Sequence, residues 1–366
     1  MIELGDFLIL IPSLQPDGQL LMYLERLVKQ GFSNIVIVDD GSGSRFKSVF
    51  DQASIGSSCT EIGYEVNQGK GFALKYGLEW ILKNKSNILG VITADSDGQH
   101  TAEDCIRIAK KLQEYPDHLV LGTRDFGQKD VPIKSRIGNR LTSFFFMLLY
   151  GYWLPDTQTG LRGISTEYIP KMLKVPGNRF EYEMNVLIHA TNWRMPFEIV
   201  PMATIYHNAN EGTHFRPLHD SARIYKLLFG NFFKFASAGV LSTLLDHALF
   251  NLLERWLVPS FFAHLPSLSS VSTVLTATVV ARICSSLFNY RINQRFVFQV
   301  QKSKGSLLRY FFLATIVMLL SAFFVESLHI SLGMDTGIAK ILVDTILFFA
   351  NYRIMKSWVF KVIGKE

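Results

Sequence analysis

The distribution of apolar residues constrains this chain more than any other feature. Up to about residue 225, short apolar runs alternate with polar blocks, whereas later runs are long and almost uncharged. Four of these later runs, near 235–253, 271–288, 310–325 and 338–355, approach the length of a helix that crosses a bilayer. The pattern therefore predicts an α/β first part followed by an all-α membrane part of four spans.

The length of 366 residues and the 48% hydrophobic content fit two domains, at 1–225 and 230–366. In the second domain, basic residues concentrate between the second and third predicted spans and in the tail: Arg291, Arg295, Lys302, Lys304, Arg309, Lys356, Lys361 and Lys365. Loops rich in Lys and Arg generally lie on the cytoplasmic side of a membrane. We therefore expect a multi-pass protein of the cell membrane with both termini and the first domain in the cytoplasm. The net charge of +6 fits an anionic membrane surface, and no aromatic–basic repeat indicates nucleic acid.

The first domain alternates short β-branched runs with stretches of helical spacing. The strand candidates are Phe7–Ile11, Ile35–Val38, Leu89–Thr93 and Leu119–Gly122. Such alternation predicts a Rossmann-like, mostly parallel sheet with helices on its faces. Ligands bind at the carboxyl ends of strands in these sheets, so residues that follow the runs are the candidate site.

Asp95 and Asp97 follow a buried strand candidate directly. Two carboxylates at this spacing can share a hard divalent cation, Mg or Mn, which would neutralise a diphosphate. Aspartates are also common in surface turns, but the preceding apolar strand favours the metal site.

Two further motifs follow the same logic. Asp39 and Asp40 end the preceding strand candidate and can accept hydrogen bonds from a base or ribose, or else form a turn. The glycine-rich stretch with Asn67 and Lys70 begins a helix, where backbone amides and an ammonium group can approach phosphate. An ordinary loop is the alternative for this stretch.

Two segments have the character of interfacial helices. Residues 135–153 begin with basic side chains and continue into an aromatic run too short to span a bilayer, which favours a helix lying on the membrane over a core helix. Arg136 and Arg140 share one face of it and can bind an anionic head group or extend toward lipid. Residues 216–234 form the second such segment, which leads into the membrane.

The second domain contains an internal repeat. The stretch Asn289–Phe298 returns as Asn351–Phe360, with NYRI and VF at identical spacing. At this offset Arg282 falls opposite Asp344, and we expect the two charges to pair because an unpaired charge is costly in lipid.

The motifs VDDGS, NQGKGFAL, TADSDGQH, LGTRDF, SRIGN and DTQTGLRG, in this order, resemble glycosyltransferase family 2, and within it the polyprenyl- and dolichol-phosphate sugar synthases. The resemblance covers about residues 7–220. It implies a GT-A fold, a Mg or Mn ion and inverting transfer of a hexose from a nucleotide-sugar to polyprenyl phosphate, for glycosylation of cell-envelope polysaccharide.

The resemblance also assigns roles to residues. The nucleotide-sugar would be bound by Pro12, Asp39, Asp40, Asn67, Lys70 and Asp95. The metal and diphosphate would be held by Asp95, Asp97 and Gln99. The reacting centre would be lined by Asp97, Arg124 and Arg136. The lipid phosphate would be bound by Arg136, Arg140 and Arg162, the last in an acceptor-side loop with Asp156, Thr159 and Gly160; Glu183 matches a family glutamate.

The second domain, 230–366, resembles the GtrA-like family, which is thought to help move polyprenyl-linked sugars; the alternative is a plain anchor. Leu14 and Pro16 replace the Tyr and Glu of mannose enzymes, which disfavours GDP-mannose. Residues 204–217 are similar to bacterial fusions, which favours a UDP-sugar and undecaprenyl phosphate. A processive polysaccharide synthase would need a QxxRW-type motif, which the sequence lacks. Intact acidic motifs disfavour a non-catalytic transporter or scaffold, and a homo-oligomer stays open.

Overall fold

The computed structural model describes residues 3–54, 58–127, 131, 133–202, 217–257, 260, 273–301 and 303–361. The chain divides into two compact units, of which the first contains Met1–Leu228 and the second Phe229–Val362. The stretch 204–216, including Arg216, lies outside the described residues, as do Val271 and Lys302.

The described residues of the first unit form a seven-stranded sheet of order β3-β2-β1-β4-β6-β5-β7. Its strands are β1 (Phe7–Ser13), β2 (Ile35–Asp40), β3 (Cys59–Tyr64), β4 (Gly90–Thr93), β5 (Leu119–Arg124), β6 (Arg162–Ser165) and β7 (Phe197–Met202). Strand β6 runs antiparallel to β4 and β5, and the other pairs are parallel. This confirms the mostly parallel, Rossmann-like GT-A fold.

Helices cover both faces of this sheet, which explains why inner strands such as β1 and β2 begin as continuous apolar runs. All seven residues of β1 are buried. Alternate residues Phe7, Ile9 and Ile11 belong to one core cluster, while Leu10 packs close to Gly77 on the other face. The helices are α1 (Gly18–Lys29), α2 (Lys47–Ala53), α3 (Lys70–Asn84), α4 (Ala102–Glu114), α5 (Ile133–Tyr150), α6 (Ile169–Leu173) and α7 (Glu181–Trp193).

Helix α5 occupies the first predicted interfacial segment. Its buried side includes Phe146 and Leu149, whereas Ile137, Leu141 and Phe144 are exposed. These exposed residues are spaced four and three apart, so they form one apolar stripe along the helix. An exposed apolar stripe is what a helix on a membrane surface requires, and that placement stays a prediction.

The second predicted interfacial segment is part of the same helix as the first predicted span. Residues 217–234 continue without a break into the first predicted span, as α8 (Pro217–Leu252). Proline is absent from its interior and Gly230 is the kind of single glycine that a long helix tolerates, so nothing in the sequence ends the helix there. The described residues that follow contain three more α-helices: α9 (Thr273–Ile292), α10 (Ser306–Leu332) and α11 (Thr336–Ile354).

Two helical segments of the described residues, Ala222–Trp256 and Ser306–Leu332, are long and apolar enough to cross a membrane by length and composition. The four-span arrangement and its orientation therefore stay predictions. The internal repeat is present in the structure, because both copies end in a π-helical turn at equivalent positions, Asn293–Val297 and Met355–Val359.

The expected pair of Arg282 with Asp344 is wrong. The Arg282 Nη2 atom lies 3.3 Å from the Asp246 Oδ2 atom, on α8. Asp344 instead accepts from Lys340 at 2.7 Å and from Ser321 at 2.6 Å. Each charge finds a partner within its own helical hairpin, so equivalent positions in the repeat do not pair with each other.

Candidate active site

The carboxyl ends of neighbouring strands bring the first group of candidates together. Pro12 is buried in β1 and lies opposite Val38 of β2, and Ser13 lies opposite Asp39. Asp40 ends β2, and Asp95 follows β4 on the other side of β1. The parallel register thus places these residues along one edge of the sheet.

Asp40 is the anchor of the loop that precedes α3. Its carboxylate accepts hydrogen bonds from the Tyr64 hydroxyl at 2.7 Å, the Asn67 side-chain amide at 3.0 Å, and the backbone amides of Gln68 at 2.9 Å and Gly69 at 3.0 Å. The residue is only 3% exposed. Four donors and this burial make Asp40 an organiser of loop 67–69 in this structure.

Asp39 is more open than its neighbour. It is half-buried, and its Oδ1 atom accepts from the Ser42 backbone amide at 2.8 Å. Among the described residues no partner is recorded for its Oδ2 atom. Of the two aspartates, Asp39 is therefore the one with a carboxylate oxygen left to accept a hydrogen bond from a ligand.

Lys70 connects three distant parts of the chain. It begins α3, and its Nζ atom lies 2.6 Å from Asp95 Oδ1 and 3.0 Å from Glu183 Oε1. Burial would lower the pKa of Lys70, but the two carboxylates outweigh it and raise that pKa. The ammonium group therefore stays charged inside the cleft.

Asp95 is held from several directions. His100 Nε2 lies 3.2 Å from its Oδ2 atom, in addition to the contact with Lys70. Burial would raise the pKa of Asp95, but Lys70 and then His100 reverse this and hold it well below its usual range. On the acceptor-side loop, a Cβ atom added to Gly160 would lie 2.5 Å from Asp95 Oδ2. The loop thus approaches the carboxylate as closely as only glycine permits.

Asp97 lies exposed at the rim, where its Oδ1 atom accepts from the Gln99 amide at 3.0 Å. Desolvation and then the Asp95 carboxylate raise the pKa of Asp97. A divalent cation bound by Asp95 and Asp97 would reduce the repulsion between their carboxylates. Among the described residues, no group of three or more acidic, histidine or cysteine side chains is arranged to hold a metal ion by itself. Two carboxylates would suit an ion that completes its shell with donor phosphates and water, as Mg commonly does.

Arg124 ends β5 and is oriented by Asp156. Its Nε and Nη2 atoms lie 2.7 Å and 3.2 Å from the two carboxylate oxygens of Asp156, which is fully buried. The Arg124 side chain is one quarter exposed. A two-point contact of this kind fixes the plane of the group before a substrate arrives.

Arg162 and the arginines of α5 differ in exposure. Arg162 is 3% exposed, and its Nε and Nη1 atoms donate to the carbonyl oxygens of Thr159 and Glu183 at 3.0 Å and 2.8 Å. Burial lowers the pKa of this guanidinium. The bond to Thr159 stabilises the loop that also contains Asp156 and Gly160. The assignment of Arg162 to the lipid phosphate stays a prediction. Arg136 is half-buried and Arg140 exposed.

Two residues that contact the aspartates of this site, His100 and Tyr64, are not among those predicted from the sequence. His100 belongs to the TADSDGQH motif, and its position directly after Gln99 was the available signal. Tyr64 ends β3, and its role follows from the parallel register that places it opposite Asp40. Tyr64 lies at a strand end, and His100 lies in the segment between β4 and α4, on the side of the sheet where ligands bind in such folds.

Comparisons with known proteins identify the family of each domain. The sequence matches the model described as glycosyl transferase family 2 over residues 9–173, and the one described as GtrA/DPMS, transmembrane domain, over 234–360. The uncharacterized protein MJ1222 of Methanocaldococcus jannaschii is 30% identical over 219 residues, 58% of this chain and 88% of that protein.

A second relative has a named activity. The UDP-N-acetylglucosamine--dolichyl-phosphate N-acetylglucosaminyltransferase of Methanococcus voltae is 26% identical over 215 residues, 54% of this chain and 85% of that protein. Among solved structures, a glucosyl-3-phosphoglycerate synthase of Mycobacterium tuberculosis aligns with a TM-score of 0.46 at 15% identity, over 61% of this chain and 78% of that one.

Proposed function

The chain belongs to glycosyl transferase family 2 and carries a GtrA/DPMS transmembrane domain, and we propose that it transfers a sugar from a UDP-sugar to polyprenyl phosphate. The cluster of Lys70, Asp95 and Glu183 beside Asp97 is the observation that carries this proposal. Undecaprenyl phosphate is the acceptor we favour. The reaction takes place at the cytoplasmic face of the cell membrane, with residues 1–225 as catalytic domain and 230–366 as a four-span membrane domain.

On the donor side, the open carboxylate of Asp39 and the buried ring of Pro12 border the nucleoside. Asp95, Asp97 and Gln99 would hold Mg or Mn, which would supply positive charge to the diphosphate leaving group. The name of the Methanococcus voltae relative, which specifies a UDP-sugar and a dolichyl phosphate, supports this choice of substrate classes.

The acceptor needs no enzyme nucleophile and no strong base, because its phosphate oxygen is already anionic. That oxygen forms a bond to the anomeric carbon while the bond from the carbon to the diphosphate oxygen breaks, and the configuration inverts. Arg136 and Arg140 hold the lipid phosphate, and Arg124, oriented by Asp156, faces the reacting centre. The protein contributes positioning and preorganised positive charge.

The test is sugar transfer by the full chain in detergent, with undecaprenyl phosphate, Mg or Mn, and a panel of UDP- and GDP-sugars. We expect a metal-dependent glycolipid from one donor, reduced by more than about 100-fold in Asp97→Ala because the charge that holds the ion is lost. Asp117→Ala is the matched control, since Asp117 is an exposed aspartate just before the amino end of β5. Folded protein that binds a nucleotide-sugar but yields no glycolipid would overturn the proposal.

A further inference from the structure

Arg162 is buried to a degree that is unusual for an arginine. It begins β6 and is only 3% exposed. Its Nε atom donates to the Thr159 carbonyl oxygen at 3.0 Å, and its Nη1 atom donates to the Glu183 carbonyl oxygen at 2.8 Å. The Nη2 atom is also buried and has no hydrogen-bond partner among the described residues. None of the three nitrogen atoms is therefore open to a lipid phosphate that arrives from outside the domain.

The space beside Arg162 is too small for a head group. A cavity of about 10 Å³ is lined by Arg162, by Thr93, Tyr182 and Glu183, and by apolar side chains. A volume of roughly 10–15 Å³ is what a single water molecule needs, and a phosphate group is several times larger. A water molecule can therefore satisfy the Nη2 atom of Arg162, whereas a lipid phosphate cannot reach it.

The two carbonyl oxygens that Arg162 binds belong to two segments around Asp95. Thr159 precedes Gly160, whose backbone lies so close to Asp95 that an added Cβ atom would be 2.5 Å from the Oδ2 atom. Glu183 lies on α7, and its carboxylate is 3.0 Å from the Lys70 ammonium, which in turn is 2.6 Å from Asp95 Oδ1. Arg162 thus joins the acceptor-side loop to the helix that holds Lys70.

The charges of this cluster are balanced. Two cations, Lys70 and Arg162, accompany two carboxylates, Asp95 and Glu183, and buried charges are costly unless they are paired in this way. Burial lowers the pKa of Arg162, and the Glu183 carboxylate opposes this shift more than any other group. A change at Arg162 therefore disturbs Glu183 and Lys70 first, and Asp95 through them. A displacement of ~1 Å at a reacting group is enough to impair a reaction strongly.

We propose that Arg162 is a positioning residue for the donor side of the transfer reaction, and that it does not contact the lipid phosphate. It acts through Gly160 and Glu183, which hold Asp95 and Lys70 in place. The inference rests on the proposed function only in taking a metal-bound nucleoside diphosphate and a lipid phosphate as the two ligands. Loss of Arg162 should then weaken binding of the nucleotide, whereas loss of an acceptor-side arginine should weaken binding of the lipid.

The test compares two arginines in the full chain in detergent. Arg162→Lys keeps the positive charge but replaces the planar fork that binds two carbonyl oxygens by a single ammonium group. We expect the Kd of UDP with Mn, measured by calorimetry without acceptor, to rise about tenfold and kcat to fall by about tenfold or more. The KM of undecaprenyl phosphate should stay within about twofold. Arg140→Gln should show the opposite division, with a higher KM of the lipid and an unchanged Kd of UDP.

Arg26→Lys is the matched control for the first variant. Arg26 is exposed on α1, and its side chain has no recorded partner among the described residues. We expect all three quantities of Arg26→Lys, the Kd of UDP, kcat and the KM of the lipid, to stay within about twofold of the wild type.

A measurement on the wild type guards against misfolding of Arg162→Lys. Phenylglyoxal modifies accessible guanidinium groups, and mass spectrometry locates the modified arginines with and without undecaprenyl phosphate. We expect Arg162 to stay unmodified in both conditions because it is buried. The exposed Arg140 should react, and the lipid should protect it.

Three results would overturn the positioning role: Arg162→Lys raises the KM of the lipid alone, Arg162→Lys matches Arg26→Lys in every quantity, or undecaprenyl phosphate protects an Arg162 that reacts without it. Failure of the proposed reaction looks different. In that case the wild type binds UDP with Mn and Arg162→Lys binds it more weakly, but no glycolipid forms. That outcome supports the role of Arg162 and contradicts the transfer reaction alone.

Discussion

The charged clusters of the two units are assembled in different ways. In the first unit, Lys70, Asp95 and Glu183 come from separate parts of the chain and meet at the edge of the sheet. In the second unit, Lys340 and Asp344 are four residues apart on one helix. A sheet gathers residues from several loops at its edge, whereas a helical hairpin pairs charges within one helix, as at Lys340 and Asp344, or between its two helices, as at Arg282 and Asp246.

The two units also differ in how closely the backbone packs. Around the first cluster, an added Cβ would lie within 3 Å of other atoms at Gly69, Gly71 and Gly160. At Gly230 and Gly239 of α8 such an atom would meet nothing within 4 Å. We therefore expect the activity of the first site to be sensitive to added side-chain volume. We expect the stability of the second unit to be sensitive to the loss of a charge.

Gly160→Ala tests this contrast most strongly. The new methyl group would collide with the Asp95 carboxylate, so we expect kcat/KM for sugar transfer to fall by about 100-fold or more, as displacement of a reacting group by ~1 Å can cause. Gly18→Ala is the matched control, because nothing lies within 4 Å of that position. Equal activity of the two variants would show that Asp95 does not depend on the close approach of this loop.

Removal of Asp344 tests the second unit. Asp344→Leu leaves the Lys340 ammonium without its carboxylate, and we expect the free energy of unfolding in detergent to fall by roughly 2–3 kcal/mol. The double variant Lys340→Met with Asp344→Leu should lose less, because no single charge remains. Thermal unfolding of the purified chain measures both.

An exchange of charges between Arg282 and Asp344 completes this test. Because Arg282 pairs with Asp246, the exchange places like charges together in both hairpins and should be no more stable than the single variants. Recovery of stability by the exchange would restore the pairing expected from the repeat.

The sequence predicts the sheet edge well and the pairing of charges poorly, for physical reasons. Continuous β-branched runs such as Ile35–Val38 require burial on both faces, and this sets the strands and the residues that follow them. The role of Asp40 depends on a turn that brings loop 67–69 back toward Tyr64. The partner of Arg282 depends on which helices form a hairpin. Neither of these long-range relations is encoded in local spacing.

Tyr64→Phe is the finest test of the first unit, because it removes one of the four donors to Asp40 and leaves the ring in place. Burial, and then the neighbouring Asp40, raise the pKa of the Tyr64 hydroxyl, so it remains a donor at neutral pH. We expect a loss of about 1 kcal/mol in the free energy of unfolding and a rise of a few-fold in the KM of the donor. Tyr76→Phe is the control, because its ring packs edge-on against Tyr64 at 5.3 Å, and it should change neither quantity measurably. Asp39→Asn should raise the same KM without destabilising the fold, since Asp39 keeps one acceptor open to the cleft. If Tyr64→Phe leaves stability and KM unchanged, the backbone amides of loop 67–69 are sufficient to hold Asp40 in place. The Asp40 oxygen that accepts from Tyr64 could then accept a hydrogen bond from the nucleoside instead.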